Sequence, residues 1–281
     1  MTTAALAATG LAFYAGEISR HELEVVRFTV HLPNLPSAFH GMRIAQLSDV
    51  HYDNYTEPFF VRRAVRRINE LAPDLVLLTG DFVSKGPQMY DLSQHHAQAC
   101  AEVLSHINCP QRFAIMGNHD VAVGVDVVTN ALVNHDIPVL SDTHVPLERG
   151  PDRLWLVGLK DISAAPLPDL KAAMPPPGRQ PVLLMVHEPD YMDILMESPL
   201  GRRADLVFAG HTHGGQVCIP GVGPIFAPPL GKKYISGLFR FPHDEKMTQL
   251  YVNRGLGTVG LPLRLWCPPE ITLITLSAEP V

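Results

Sequence analysis

Residues 43–81 read RIAQLSDVHYDNYTEPFFVRRAVRRINELAPDLVLLTGD, and the hydropathy pattern changes period twice within them. The runs at 43–48 and 74–79 are short and apolar, and they stop abruptly at Asp49 and at Gly80-Asp81. That is the pattern of strands buried on both faces. Between them Val61, Ala64, Val65, Ile68 and Leu71 recur at helical spacing, while Arg62, Arg63, Arg66 and Arg67 fall on the other face. Thr56 is the expected N-cap, with Pro58 in the first turn. An amphipathic helix joining two buried strands is a βαβ unit, so the sheet is expected to be at least partly parallel and covered by helices.

Working outward, three more runs end in the same abrupt way. Residues 112–116 precede Gly117-Asn118-His119-Asp120, residues 182–186 precede His187, and residues 205–209 precede Gly210-His211-Thr212-His213. Residues 24–30 read as a linker with strand-like alternation, residues 153–157 as a strand leading to Asp161, and the tail as strands around 249–253 and 271–276. Pro175-Pro176-Pro177-Gly178 reads as a surface loop. With no internal repeat and no domain linker, residues 24–281 are expected to form one domain behind a separate segment at 1–23.

Composition narrows the function classes. Of 281 residues 46% are hydrophobic, which excludes a disordered chain, and a net charge of −6 argues against a duplex nucleic-acid partner. Cys100, Cys109, Cys218 and Cys267 form no CxxC pair and read as buried thiols. Residues 1–16 (MTTAALAATGLAFYAG) carry no charge. This run is shorter than the ~20 residues that span a bilayer, and no basic residue precedes it, so it reads as an anchor or export segment whose basic start lies upstream. The protein is then membrane-associated or exported; the alternative is a cytoplasmic chain whose first helix docks on the core.

Asp49, His51, Asp81, Asn118, His187, His211 and His213 all follow buried strands, at the carboxyl ends where α/β sites form. The blocks DVH (49–51), GD (80–81), GNHD (117–120), His187 and GHTH (210–213) resemble the signature of the calcineurin-like metallophosphoesterases. GHTHGGQ (210–216) and the tail NRGLGTVGLPLRLWCPPE are similar to an exported or membrane-anchored bacterial branch that includes UDP-2,3-diacylglucosamine pyrophosphatases. The resemblance implies an α/β (α+β) four-layer αββα sandwich with a dimetal site at strand carboxyl ends. It implies that Asp49, His51 and His213 hold one divalent metal, that Asn118, His187 and His211 hold a second, and that Asp81 bridges them. Mixed N/O ligation suits Mn, with Fe or Zn as alternatives, better than Ca. His119 is implied as general acid at the leaving group, and Asp120 as a residue orienting a histidine. Asp53, Asp161 and Glu188 are left open between support of the ligands and simple solvation. Ser84 stands where purple acid phosphatases carry a tyrosine, which excludes an iron–tyrosinate site. His95 and His96 are adjacent, face apart on a helix and do not chelate.

The implied activity is hydrolysis of a phosphodiester or pyrophosphate by a metal-activated water. The alternatives are a non-catalytic metal- or phosphate-binding module and a broad phosphomonoesterase. Residues 225–234 (IFAPPLGKKY) mix apolar and basic groups, a composition suited to a small-molecule or lipid-linked phosphate ester, including a nucleotide sugar, at a membrane surface.

Overall fold

The computed structural model describes residues 2–53, 55–84, 90–244 and 246–279. Met1 of the apolar run lies outside them. Helix α1 (Thr2–Phe13) precedes strand β1 (Glu24–His31), and β2 (Arg43–Leu47), α2 (Pro58–Leu71) and β3 (Leu75–Leu78) form the expected βαβ unit. Next come α3 (Tyr90–Ser105), β4 (Arg112–Ala114), α4 (Asn118–Val123) and α5 (Val125–Val133). The second half contains β5 (Thr143–Arg149), β6 (Asp152–Gly158), α6 (Leu170–Ala173), β7 (Val182–Met185), α7 (Met192–Glu197) and β8 (Leu206–Ala209). It ends with β9 (Cys218–Ile219), β10 (Gly223–Pro224), β11 (Gly237–His243), β12 (Lys246–Val252) and β13 (Glu270–Ser277).

Two sheets stack face to face. One has the order β1-β13-β2-β3-β4 and the other β11-β12-β8-β7-β6-β5. Within the first, β2, β3 and β4 are parallel; within the second, β6, β7, β8 and β12 are parallel. Ile44, Leu75, Leu77 and Ile274 meet Leu183, Leu206 and Phe208 between the sheets. On the outer face of the first sheet, Ala45, Leu47, Val76 and Leu78 pack on α2, α3 and α5 through Val61, Ala64, Cys100 and Leu132. Over the second, Leu184 and Val207 are covered by Ala173, Met192 and Leu195 of α6 and α7. The alternation of apolar side chains to both faces of each strand is what requires four layers, so the fold is an αββα sandwich.

The five strands with polar ends divide between the two sheets, three in the first and two in the second. Three local expectations change. Residues 24–30 are no linker: β1 pairs parallel with β13 from Glu24↔Glu270 to His31↔Ser277. Thr56 does not cap α2; Glu57 holds that position without a side-chain cap bond, and Thr56 is buried with its N–H bonded to Asp53 Oδ1. Cys218 is only half-buried, whereas the other three thiols are buried.

The helix of the apolar run is exposed at residues 5–13, yet the chain just after it is docked. Ala15 and Ser19 are buried, the Arg264 N–H donates to the Ala15 carbonyl at 3.0 Å, and Arg20 pairs with Glu57 at 2.6 Å. Among the described residues no helix is long and apolar enough to cross a membrane.

Candidate metal centre

Parallel strands end at the same side of a sheet, so the loops after β2, β3, β4, β7 and β8 converge. Asp49 and His51 come from the first, Asp81 from the second, Asn118 and His119 from the third, His187 from the fourth, and His211 and His213 from the fifth. Three compact groups result: Asp49, His51 and His213; His51, Asp81 and His119; and Asp81, His187 and His211. Within each group the potential ligand atoms lie within 4.8 Å of one another. Asp81 Oδ2 stands 3.5 Å from His51 Nε2 and 3.2 Å from His187 Nε2, between the first and last groups. His213 Nε2 lies 3.0 Å from His51 Nε2 and 3.5 Å from Asp49 Oδ1.

Such crowding demands an unusual backbone. Asp49, His51, Asp81, His211 and His213 all have positive φ, a conformation that costs free energy outside glycine and persists only where surrounding structure enforces it. The small residues of the motifs have a steric reason. A Cβ on Gly117 would collide with Asp81, and one on Gly210 with Ser48 and Asp49.

Three of the four rings are aimed by their second nitrogen. His187 Nδ1 donates to the Thr79 carbonyl at 2.8 Å, and His211 Nε2 donates to the Pro229 carbonyl at 2.8 Å. The Ser84 hydroxyl donates to Asp53 Oδ2 at 2.7 Å and lies 3.2 Å from His51 Nδ1, so it accepts that N–H. Asp53, Ser84 and His51 thus form a hydrogen-bonded chain. Fixing one imidazole nitrogen leaves the other as a lone-pair donor.

Electrostatics follow from burial. Burial holds the imidazoles of His51, His213 and His211 below their ordinary range, and Arg264 adds to the effect at His213. Burial would raise the Asp81 carboxyl and lower the His187 imidazole, but their mutual attraction wins: Asp81 is held well below and His187 well above its usual range. The buried Asn118 Oδ1 has no hydrogen-bond partner, and His187 Nε2 has none of good alignment. A set of buried imidazoles and carboxylates with unmet lone pairs fits divalent metal ions.

The residues beside the cluster take several roles. Asp120 accepts from the backbone N–H groups of Phe82 (2.9 Å), Val83 (3.3 Å) and Gly117 (3.0 Å). Its carboxylate therefore ties two site loops together and does not orient a histidine. The His119 N–H donates to Asp81 Oδ1 at 2.8 Å, and its ring stands edge-on to His51 with centroids 4.8 Å apart. Asp161 and Glu188 are both buried; burial pushes the Glu188 carboxyl, next to His187 in the chain, up to about 8, with Asp161 beside it. His95 and His96 lie outside all three groups.

Arg264 had no assigned part in the sequence reading. It is fully buried, and its guanidinium donates to the carbonyls of His213, Arg254, Gly255, Gly257 and Cys267. It thereby holds the 254–257 turn, whose Gly255 and Gly257 press on Asp49, Val50 and His51. The only signal in the sequence was a charged residue inside an apolar tail.

A cavity of about 670 Å³ opens at the cluster, and its lining includes Asp81, Asn118, His119, His211 and His213. Much of the remaining lining is apolar, with Val217, Ile225, Phe226, Val259, Leu261 and Leu263. Of the expected basic contribution from 225–234, Lys233 is occupied elsewhere, its Nζ 2.8 Å from Asp193.

Residues 42–215 match the calcineurin-like phosphoesterase family. The metallophosphoesterase YkuE of Bacillus subtilis (strain 168) is 34% identical over 287 residues, spanning 99% of this chain and 94% of YkuE. Phosphodiesterase YaeI of Escherichia coli (strain K12) is 33% identical over 241 residues, 83% of this chain and 82% of YaeI. The UDP-2,3-diacylglucosamine pyrophosphatase LpxG of Chlamydia trachomatis is 28% identical over 320 residues, 95% of this chain and 93% of LpxG. From strand ends, cluster and matched residues together, the chain belongs to the calcineurin-like phosphoesterases and is a phosphoric ester hydrolase.

Proposed function

We infer that the chain hydrolyses a phosphodiester or pyrophosphate bond in an amphiphilic substrate, a lipid-linked phosphate or an acylated nucleotide sugar, at a membrane surface to which residues 1–23 attach it. The observation that carries this reading is the mixed lining of one cavity, which the candidate metal-ligating residues share with Ile225, Phe226, Leu261 and Leu263. A polar head and an apolar tail would be matched in one pocket. The phosphodiesterase and the UDP-diacylglucosamine pyrophosphatase among the relatives support the same bond type.

Asp49, His51 and His213 would hold one divalent ion, Asn118, His187 and His211 the other, and Asp81 both, with Mn preferred for the mixed N/O donors. When bound, two such ions supply Lewis acidity to the phosphoryl oxygens and acidify the attacking water. The neutral amide of Asn118 keeps the net charge of the loaded site positive, which favours an anionic phosphate. His119, on the cavity wall with its backbone pinned to Asp81, would donate a proton to the leaving oxygen.

The test is turnover of bis-p-nitrophenyl phosphate, p-nitrophenyl phosphate and UDP-2,3-diacylglucosamine with Mn²⁺, before and after EDTA. Cleavage of the diester and of the acylated nucleotide sugar, lost with EDTA, is expected. Cleavage of the monoester alone would replace this reading by a phosphomonoesterase, and metal binding without turnover by a binding module.

A further inference from the structure

Two uncharged stretches, residues 217–231 and 255–263, contribute to the cavity lining, and a third, residues 5–16, joins them through Ala15. Backbone bonds clamp them. The Arg264 N–H donates to the Ala15 carbonyl at 3.0 Å, the Cys218 N–H to the Leu265 carbonyl at 3.0 Å, and the Leu265 N–H to the Gln216 carbonyl at 3.0 Å. Gln216 Nε2 also donates to the carbonyls of Val259 (3.1 Å) and Leu261 (3.0 Å). The side chains that this scaffold presents are large, apolar and open to solvent: Val222 is 79% exposed, Phe226 68%, Leu261 67% and Trp266 55%. Ile219, Ile225 and Phe13 join them.

The nature of the occupant follows from α1. Every residue from 5 to 13 is exposed, all the way round the helix, and none is charged. A protein groove would cover one face of such a helix and leave the rest in water, whereas an acyl-chain environment surrounds it. Its 12 residues rise about 18 Å, less than a bilayer core of about 30 Å. The exposed apolar side chains of the domain begin where α1 joins it, two positions from Trp266 through the Ala15–Arg264 bond.

We propose that the exposed side chains of Ile219, Val222 and Trp266, which flank the cavity-lining Val217, Ile225 and Leu263 in the chain, form with that apolar lining a second lipid-docking surface that seats the site on the bilayer independently of α1. This rests on the membrane-surface reading above. It adds that the substrate's apolar portion passes from lipid into the cavity without crossing water. Val222 projects from the turn joining β9 to β10, and Trp266 carries the amphipathic ring that favours membrane interfaces.

The test uses the full chain carrying Trp155→Phe, which leaves Trp266 as the one tryptophan, and vesicles of phosphatidylcholine with brominated acyl chains. Trp266 emission is expected to fall about twofold relative to unbrominated vesicles. Val222→Glu is expected to weaken vesicle partition about tenfold while melting temperature and turnover of soluble bis-p-nitrophenyl phosphate stay unchanged. Vesicle flotation with Trp266 emission untouched by bromine would show that α1 anchors alone and would overturn the proposal. So would failure to bind vesicles, or a lipid-free dimer that Val222→Glu converts to monomer, which would make this surface a contact between two copies. Neither readout depends on hydrolysis, so loss of the hydrolase reading would appear separately, as absent turnover of the diester.

Discussion

His187 Nε2 lies 3.2 Å from Asp81 Oδ2, with both side chains buried. In the metal-free protein this is an ion pair: the carboxyl is held well below its usual range and the imidazole well above it. The Asp81 contribution to stability is present above the ordinary carboxylate pKa and is lost as pH falls through the depressed value. The His187 contribution is full below the ordinary histidine pKa and is lost as pH rises through the elevated value. A metal ion needs the neutral imidazole, so loading must expel the proton. Metal binding near pH 7 is expected to release about one proton and to tighten as pH rises. Calorimetry in two buffers of different ionisation enthalpy measures this; heats that do not depend on the buffer would contradict it.

Asp81→Ala should abolish nearly all activity and empty both metal positions, because Asp81 Oδ2 is the atom placed between the two histidine groups. Metal analysis of the purified variant decides it. Two ions still bound per chain would remove Asp81 from the bridging position.

His119→Ala is expected to keep both metals and to lower kcat by ~10²–10⁴, the range for loss of a general acid. The loss should be largest with alkyl esters and smallest with p-nitrophenyl esters, whose leaving group needs no proton. Equal losses on the two would reassign His119 to phosphate binding or loop structure.

Arg264→Met should be among the most destabilising single changes. It replaces a buried donor set serving five carbonyls, and each carbonyl left unsatisfied costs about 1–3 kcal/mol. At roughly 2–4 °C per kcal/mol for a domain of this class, thermal melting should fall by more than about 6 °C. A variant that melts within 2 °C of the parent would show that water or a rearranged 254–257 turn replaces the guanidinium.

Truncation separates two parts of the amino-terminal segment. Removing residues 1–13 takes away the exposed side chains of residues 5–13 and should leave melting unchanged while reducing vesicle binding. Removing residues 1–23 also deletes buried Ala15 and Ser19 and the Arg20–Glu57 pair, and should lower the melting temperature. Identical melting of the two truncations would mean that residues 14–23 are not docked in solution.

Much of the architecture was legible because it is written in local periodicity. The 3.6-residue spacing of Val61, Ala64, Val65, Ile68 and Leu71 specifies one buried helix face. Abrupt stops at Asp49, Asp81, Asn118, His187 and His211 mark strand ends, and five ordered blocks point to metals and phosphate esters. What periodicity does not encode is how separate strands pair. The pairing of β1 with β13 joins residues about 246 apart, and the division of the site loops between two sheets depends on β7 and β8 pairing with β6 and β12 rather than with β4. Nor could chain order show that Ser84 connects Asp53 to His51, that Asp120 spends its carboxylate on backbone amides, or that Arg264 is buried beneath the metal loops. Those roles depend on distance and direction in three dimensions, and a residue type at a sequence position carries neither. The side chains able to bind metal were determined by the sequence; which atoms of those side chains face one another was decided by the packing of two sheets, because only that packing brings the strand ends within a few ångströms.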